Sequence, residues 1–140
     1  MSDSPRTCVL FLCVANAARS QMAEGIARSV APEGVEVFSA GSAPQQVHPL
    51  AVEAMRRAGI QISGHHSKSL DDVPLDRVDT VITLCADEFC PSLGEGVERM
   101  HWPMPDPAAA EGSDEERVEA FVSVADALAE RIRDLFGVPA

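Results

Sequence analysis

No run of eighteen apolar residues occurs in this sequence, which leaves no segment able to cross a bilayer as a helix. The opening residues Met1-Ser2-Asp3-Ser4-Pro5-Arg6 lack the basic and apolar regions of a secretory signal. Both absences point to a cytoplasmic protein with no membrane partner. Positive charge is scarce: 11 Lys and Arg face 22 Asp and Glu, a net charge of −11. That balance excludes the basic footprint of a nucleic-acid binder. It also repels anions at long range, so an anionic ligand would have to be held by local contacts. No internal repeat and no linker divides the chain, so residues 1–140 are expected to form a single domain, with a monomer as the default. Cysteine is limited to four residues. In the cytoplasm such a set is catalytic or metal-binding more often than a disulfide framework. No second Cys/His pair at ligand spacing accompanies Cys85 and Cys90, and His65-His66 is a weak substitute, so no metal is expected.

What is present is an alternation of strand and helix. Thr7–Leu12 and Val35–Ser39 read as strands, as do Val78–Leu84 and the shorter Val97–Trp102. Gln21–Ala31 reads as a helix with Met22, Ala23, Ile26, Ala27 and Val30 on its apolar side, stopped by Pro32-Glu33-Gly34. Pro49–Ala58 is a second helix, with Gly59 as the residue that ends it. Ile60–Leu75 is loop-like, with a short helix near Ser69–Val73. Ser113 to Phe136 is the longest helix, with Val118, Phe121, Val122, Ala125, Leu128, Ile132 and Leu135 at three- and four-residue steps. Ser113 and Glu116 form a capping box at its start, and Gly137 ends it. Such alternation predicts a parallel sheet covered on both faces, with ligands at the carboxyl ends of its strands. Cys13, Gly41, Cys85 and Asp106 all follow predicted strands.

The most informative segment is Cys13-Val14-Ala15-Asn16-Ala17-Ala18-Arg19, followed at once by Ser20. A thiol, five residues and an arginine sit between the first strand and the first helix. A loop in that place can curl its N–H groups around an oxyanion, with the helix N-terminus beneath. The same field lowers the pKa of Cys13, whose thiolate is the nucleophile. Arg19 can clamp two oxygens of a tetrahedral anion. Ser20 can donate a hydrogen bond to the sulfur. The bare Cys–Arg spacing is a weak signal, and a buried Cys13 with a surface Arg19 is the bland alternative. The strand-to-helix setting favours the oxyanion loop.

The run from Leu10 to Gly25 resembles the active-site loop shared by low-molecular-weight tyrosine phosphatases and thioredoxin-coupled arsenate reductases. Ser20-Gln21-Met22-Ala23-Glu24 resembles the reductase branch. Further landmarks are Ser39-Ala40-Gly41, Thr83-Leu84-Cys85, His101-Trp102 and Asp106-Pro107, so the resemblance spans nearly the whole chain. It implies a four-stranded parallel sheet in a flavodoxin-like, three-layer α/β fold. It implies arsenate as substrate, with Cys13 as nucleophile and Val14 to Arg19 as the oxyanion loop. By the same resemblance Asp106 is the general acid that protonates the leaving oxygen, although Asp-Pro is also a common turn. Taken alone, Cys85 and Cys90 read as a strand cysteine and an incidental loop cysteine. In a reductase of this kind both thiols react. Cys85 attacks the arsenic-bearing Cys13, and Cys90 moves the disulfide outward to thioredoxin or another thiol reductant, with no bound cofactor. Cys8 reads as a core thiol. Asn16 is expected to pin the loop. Glu24 and Ser39 match positions that bind potassium in some reductases, but Lys68 stands where those members carry a carboxylate, and its ammonium could replace the ion. Ala18 departs from the cysteine that many relatives place before the loop arginine.

Two rival readings remain at this point. A tyrosine phosphatase would use the same Cys13, Arg19 and Asp106. Against it, Ala108-Ala109-Ala110 follow the Asp-Pro where aromatics grip a phenyl ring in such phosphatases, and the chain has no tyrosine. A weak phosphatase side activity is compatible with the loop. A non-catalytic thiol-redox or oxyanion sensor would need an output surface, which the sequence does not reveal.

Overall fold

A computed structural model describes residues 7–14, 16–84 and 97–137. Four strands form the sheet: β1 (Thr7–Leu12), β2 (Val35–Ala40), β3 (Thr80–Thr83) and β4 (Glu98–His101). All neighbouring pairs are parallel, in the order β2-β1-β3-β4. Three helices accompany them: α1 (Arg19–Val30), α2 (Pro49–Arg57) and α3 (Asp114–Phe136). Single turns of 3-10 helix lie at Leu70–Asp72, Leu75–Arg77 and Pro107–Ala109. The strand order is the flavodoxin-like one that the resemblance implied, in which the carboxyl ends of β1 and β3 lie at the topological switch point.

β1 is central and apolar beyond Thr7, and its alternation feeds two cores. Val9 and Phe11 join Met22, Ile26, Met55, Phe121 and Leu128 beneath the three helices. Cys8, Leu10 and Leu12 pack on the opposite face against Val73, Val78 and Val81. The short turns at residues 70–77 thus cover the second face, as the loop-like composition of that stretch allowed.

Element ends follow local chemistry. Ser113 and Glu116 form the expected capping box on α3, and Gly137 closes it in the left-handed conformation (φ +68°) that its missing side chain permits. The buried stripe of α3 includes Val124, which the sequence stripe omits, while Val122 and Leu135 are only partly buried. β3 is shorter than expected at its start because Asp79 takes over the pairing. Its backbone N–H donates to the Cys8 carbonyl at 2.9 Å, and its carboxylate accepts the Cys8 N–H at 2.8 Å. The loop that joins β1 to α1 lies at the sheet's carboxyl edge.

Candidate active site

Cys13 follows β1, buried at 3% exposure, with its N–H donating to the Ala40 carbonyl at 3.2 Å. The loop beyond it turns the carbonyls of Val14, Asn16 and Ala17 outward, and each finds a donor. Val14 O accepts from the Ala43 N–H at 2.8 Å, and Ala17 O from the His48 N–H at 2.8 Å. Asn16 O accepts from Gln21 Nε2 at 3.1 Å and from Ser67 Oγ at 2.8 Å. Because a trans peptide sets each N–H opposite the preceding carbonyl, the Ala17 and Ala18 N–H groups face the other way, into the loop. α1 starts at Arg19 without a side-chain cap, so its first N–H groups and its dipole also face the loop. The local fold thus sets the Ala17 and Ala18 N–H groups and the uncapped start of α1 on one side of the loop, an arrangement that suits an anion. Ala15 lies outside the described residues.

Asn16 holds this arrangement. It is fully buried and adopts φ +48°, the left-handed region that Asn tolerates better than most residues. Its Oδ1 accepts the Lys68 N–H at 2.8 Å and Gln21 Nε2 at 3.0 Å. The Lys68 amide can only donate, so the orientation of the Asn16 amide is determined. Its Nδ2 then donates to Ser20 Oγ at 2.7 Å and to Ser39 Oγ at 3.0 Å. Ser39 Oγ donates in turn to Glu24 Oε1 at 2.5 Å. The buried Glu24 carboxylate is balanced by Arg28 Nε at 3.0 Å and Lys68 Nζ at 3.5 Å. Lys68 therefore faces Glu24, where the resemblance suggested an ammonium in place of an ion. Ser20 Oγ, having accepted from Asn16, keeps its own proton for donation elsewhere.

Gly41 explains the Ser39-Ala40-Gly41 landmark. A Cβ there would stand 2.5 Å from Val14 O and 2.7 Å from Cys13 O, so only glycine lets the β2 end pass under the loop. The Arg19 guanidinium is anchored by one bond, Nη1 to the Met104 carbonyl at 3.1 Å. Its Nε is buried with no hydrogen-bond partner among the described residues. Asp106 lies just beyond β4, with Oδ1 4.0 Å from Arg19 Nη2. The same oxygen accepts the Ala108 N–H at 3.0 Å and caps the 3-10 turn, so the turn role is real, and the half-exposed carboxyl still faces Arg19.

β3 pairing continues past its end. The Leu84 N–H donates to Leu12 O at 3.0 Å, and Leu84 O accepts the Met104 N–H at 2.8 Å. The chain thus runs toward residue 85 beside the strand that delivers Cys13. Cys85 and Cys90 themselves lie outside the described residues. Cys8 is buried in the second core, and burial pushes its thiol up to about 11, as suits a packing residue.

Two residues of the site were not singled out in the sequence. Gln21 is fully buried and ties Asn16 to the 65–68 segment, its Nε2 also reaching His66 O at 3.0 Å and its Oε1 lying 3.1 Å from His65 Nδ1. Its signals were its place in the Ser20–Glu24 run and a polar residue beside the apolar stripe of α1. His48 is the N-cap of α2. Its place before Pro49 was the signal, since Pro favours the first helical position.

The low molecular weight phosphotyrosine protein phosphatase family model matches residues 8–138. The arsenate reductase of Halalkalibacterium halodurans is 42% identical over 127 residues, covering 89% of this chain and 91% of that protein. A solved arsenate reductase in its oxidized state superposes with a TM-score of 0.80 at 31% identity, over 94% of this chain and 97% of the other. A thioredoxin-dependent arsenate reductase from Corynebacterium glutamicum superposes with a TM-score of 0.73 at 33% identity, over 95% of this chain and 60% of that one. With the family model matched over nearly the whole chain and arsenate reductases among its relatives at about 40% identity, the chain belongs to the low molecular weight phosphotyrosine protein phosphatase family, within its arsenate reductases.

Proposed function

We propose that this protein reduces arsenate to arsenite, with an external thioredoxin as reductant and no bound prosthetic group. The observation that carries the reading is the buried Arg19 Nε, unpartnered among the described residues, beside a loop whose Val14, Asn16 and Ala17 carbonyls are turned away. An oxyanion supplies the missing acceptors. Arsenate binds with its oxygens on the loop N–H groups and on Arg19 Nε and Nη2. The Cys13 thiolate attacks arsenic, and the leaving oxygen departs as water with a proton from Asp106. Cys85 then attacks the Cys13 sulfur. The sulfur–arsenic bond breaks with its electron pair on arsenic, which leaves as arsenite, and a Cys13–Cys85 disulfide remains. The Cys90 thiolate attacks Cys85, frees Cys13 and offers a Cys85–Cys90 disulfide to thioredoxin. The placement of Leu84 beside Leu12 supports the first exchange.

The test is arsenate-dependent NADPH oxidation in the presence of thioredoxin and its reductase, beside aryl-phosphate hydrolysis. Wild type turns over arsenate and hydrolyses the aryl phosphate slowly, while Cys13→Ser does neither and keeps its fold. Near-normal arsenate turnover by Cys13→Ser would overturn the reading.

A further inference from the structure

His48 makes two bonds that together tie the oxyanion loop to α2. Its ring Nδ1 accepts the Leu50 N–H at 3.1 Å, which caps the helix. Its backbone N–H donates to Ala17 O at 2.8 Å, which keeps that carbonyl turned away and the Ala18 N–H on the opposite side of the loop. The ring packs on Phe121 of α3, with centroids 4.8 Å apart and planes at 44°. A ring nitrogen that accepts an N–H carries no proton, so the imidazole is neutral with its proton on Nε2. Once protonated, Nδ1 becomes a donor that faces another donor, and the cap is lost.

We propose that His48 is a positioning residue for oxyanion binding, whose neutral ring holds the first turn of α2 and through it the Ala17–Ala18 peptide. This rests on the oxyanion loop of the proposed function and extends it to the residue that sets the loop's acid limit. The charged groups acting on the ring are Arg117 of α3, which opposes its protonation, and Asp106, which favours it. Burial, first, and then Arg117 keep the His48 pKa below its ordinary value, so the cap survives to mildly acidic pH. Lower pH breaks the cap, frees His48 N–H from Ala17 O, and lets the peptide turn its carbonyl inward.

The test measures sulfate affinity by calorimetry from pH 8 to pH 5, because sulfate does not titrate in that range. Wild type is compared with His48→Asn, whose side chain is a strong cap that does not titrate, and with His48→Ala, which has no cap. All three are measured in the Cys13→Ser background, which removes thiol titration from the comparison. At pH 8 wild type and His48→Asn bind alike, and His48→Ala binds about tenfold more weakly, a typical coupling between two local sites. Toward pH 5 wild type falls by a similar factor relative to His48→Asn. A wild-type to His48→Asn ratio that stays flat with pH, or a His48→Ala protein that binds normally, would overturn the proposal. No sulfate binding by any of the three at pH 8 would overturn the oxyanion loop itself, and this inference with it.

Discussion

Asn16 and Asp106 show two ways in which one side chain can matter to this site. Asn16 satisfies four neighbours from a left-handed backbone, and nothing smaller can do so. Asn16→Ala leaves the Lys68 N–H and the Ser20 and Ser39 hydroxyls short of partners, at about 1–3 kcal/mol for each buried group stranded. Urea unfolding should show a midpoint well below wild type, and an unchanged midpoint would mean the network is not structural. Asp106→Asn is the opposite case. Its Oδ1 still accepts the Ala108 N–H, so the turn survives, but no carboxyl proton remains. Single-turnover reduction should slow by about 100-fold or more, the usual worth of a positioned acid, with oxyanion affinity nearly unchanged. Equal rates would leave Asp106 a turn residue only. The placement of Cys13, Asn16, Arg19 and Ser20 together was legible in the sequence because one short strand-to-helix segment holds them all. Gln21 and His48 were not, because their meaning lies in partners 45 and 31 residues away, His66 and Ala17.

At the scale of elements, the hydrophobic pattern set the order and type of the four strands and three α-helices, since the helices bury one stripe at a fixed period and β1 is an apolar run buried on both faces. It missed where pairing is done by a side chain, as at Asp79, and which of Val122 and Val124 turns inward on α3. Those depend on how neighbouring elements meet. The β2 end is the most constrained of these meetings. Gly41→Ala forces a methyl group to within 2.5 Å of Val14 O, and backbone on both sides cannot yield cheaply. The loop must shift, so oxyanion affinity should fall while unfolding costs only about 1–3 kcal/mol, the range for overpacking. Leu128→Ala separates the two effects from the other side. Leu128 is a fully buried residue of α3 and not one of the loop residues. Its truncation should cost about 2–5 kcal/mol of stability and leave the sulfate affinity of the folded protein intact. Calorimetry beside urea melts checks both, and a reversed pattern would mean that loop geometry is not what Gly41 protects.

The whole molecule gathers its chemistry by strand order. β1 and β3 are neighbours, so Cys13 and the chain that leads to Cys85 leave the sheet side by side, though the two cysteines are 72 positions apart. Net charge of −11 gives no long-range help to an anion, so every gain in binding must come from this one edge. The same edge makes the order of thiol steps testable. Cys90→Ser should reduce one equivalent of arsenate, because Cys85 can still release arsenite by attacking Cys13. It should then stop as a Cys13–Cys85 disulfide, because Cys13 is buried where thioredoxin reaches it poorly. Cys85→Ser should stop one step earlier, with arsenic still on Cys13 or returned to solvent. Neither change should alter aryl-phosphate hydrolysis, which needs one thiol and water. Mass spectrometry after a single arsenate exposure identifies the disulfide in each variant. Multiple-turnover rates equal to wild type in both would remove Cys85 and Cys90 from the reaction and leave phosphoester hydrolysis as the better account of this edge.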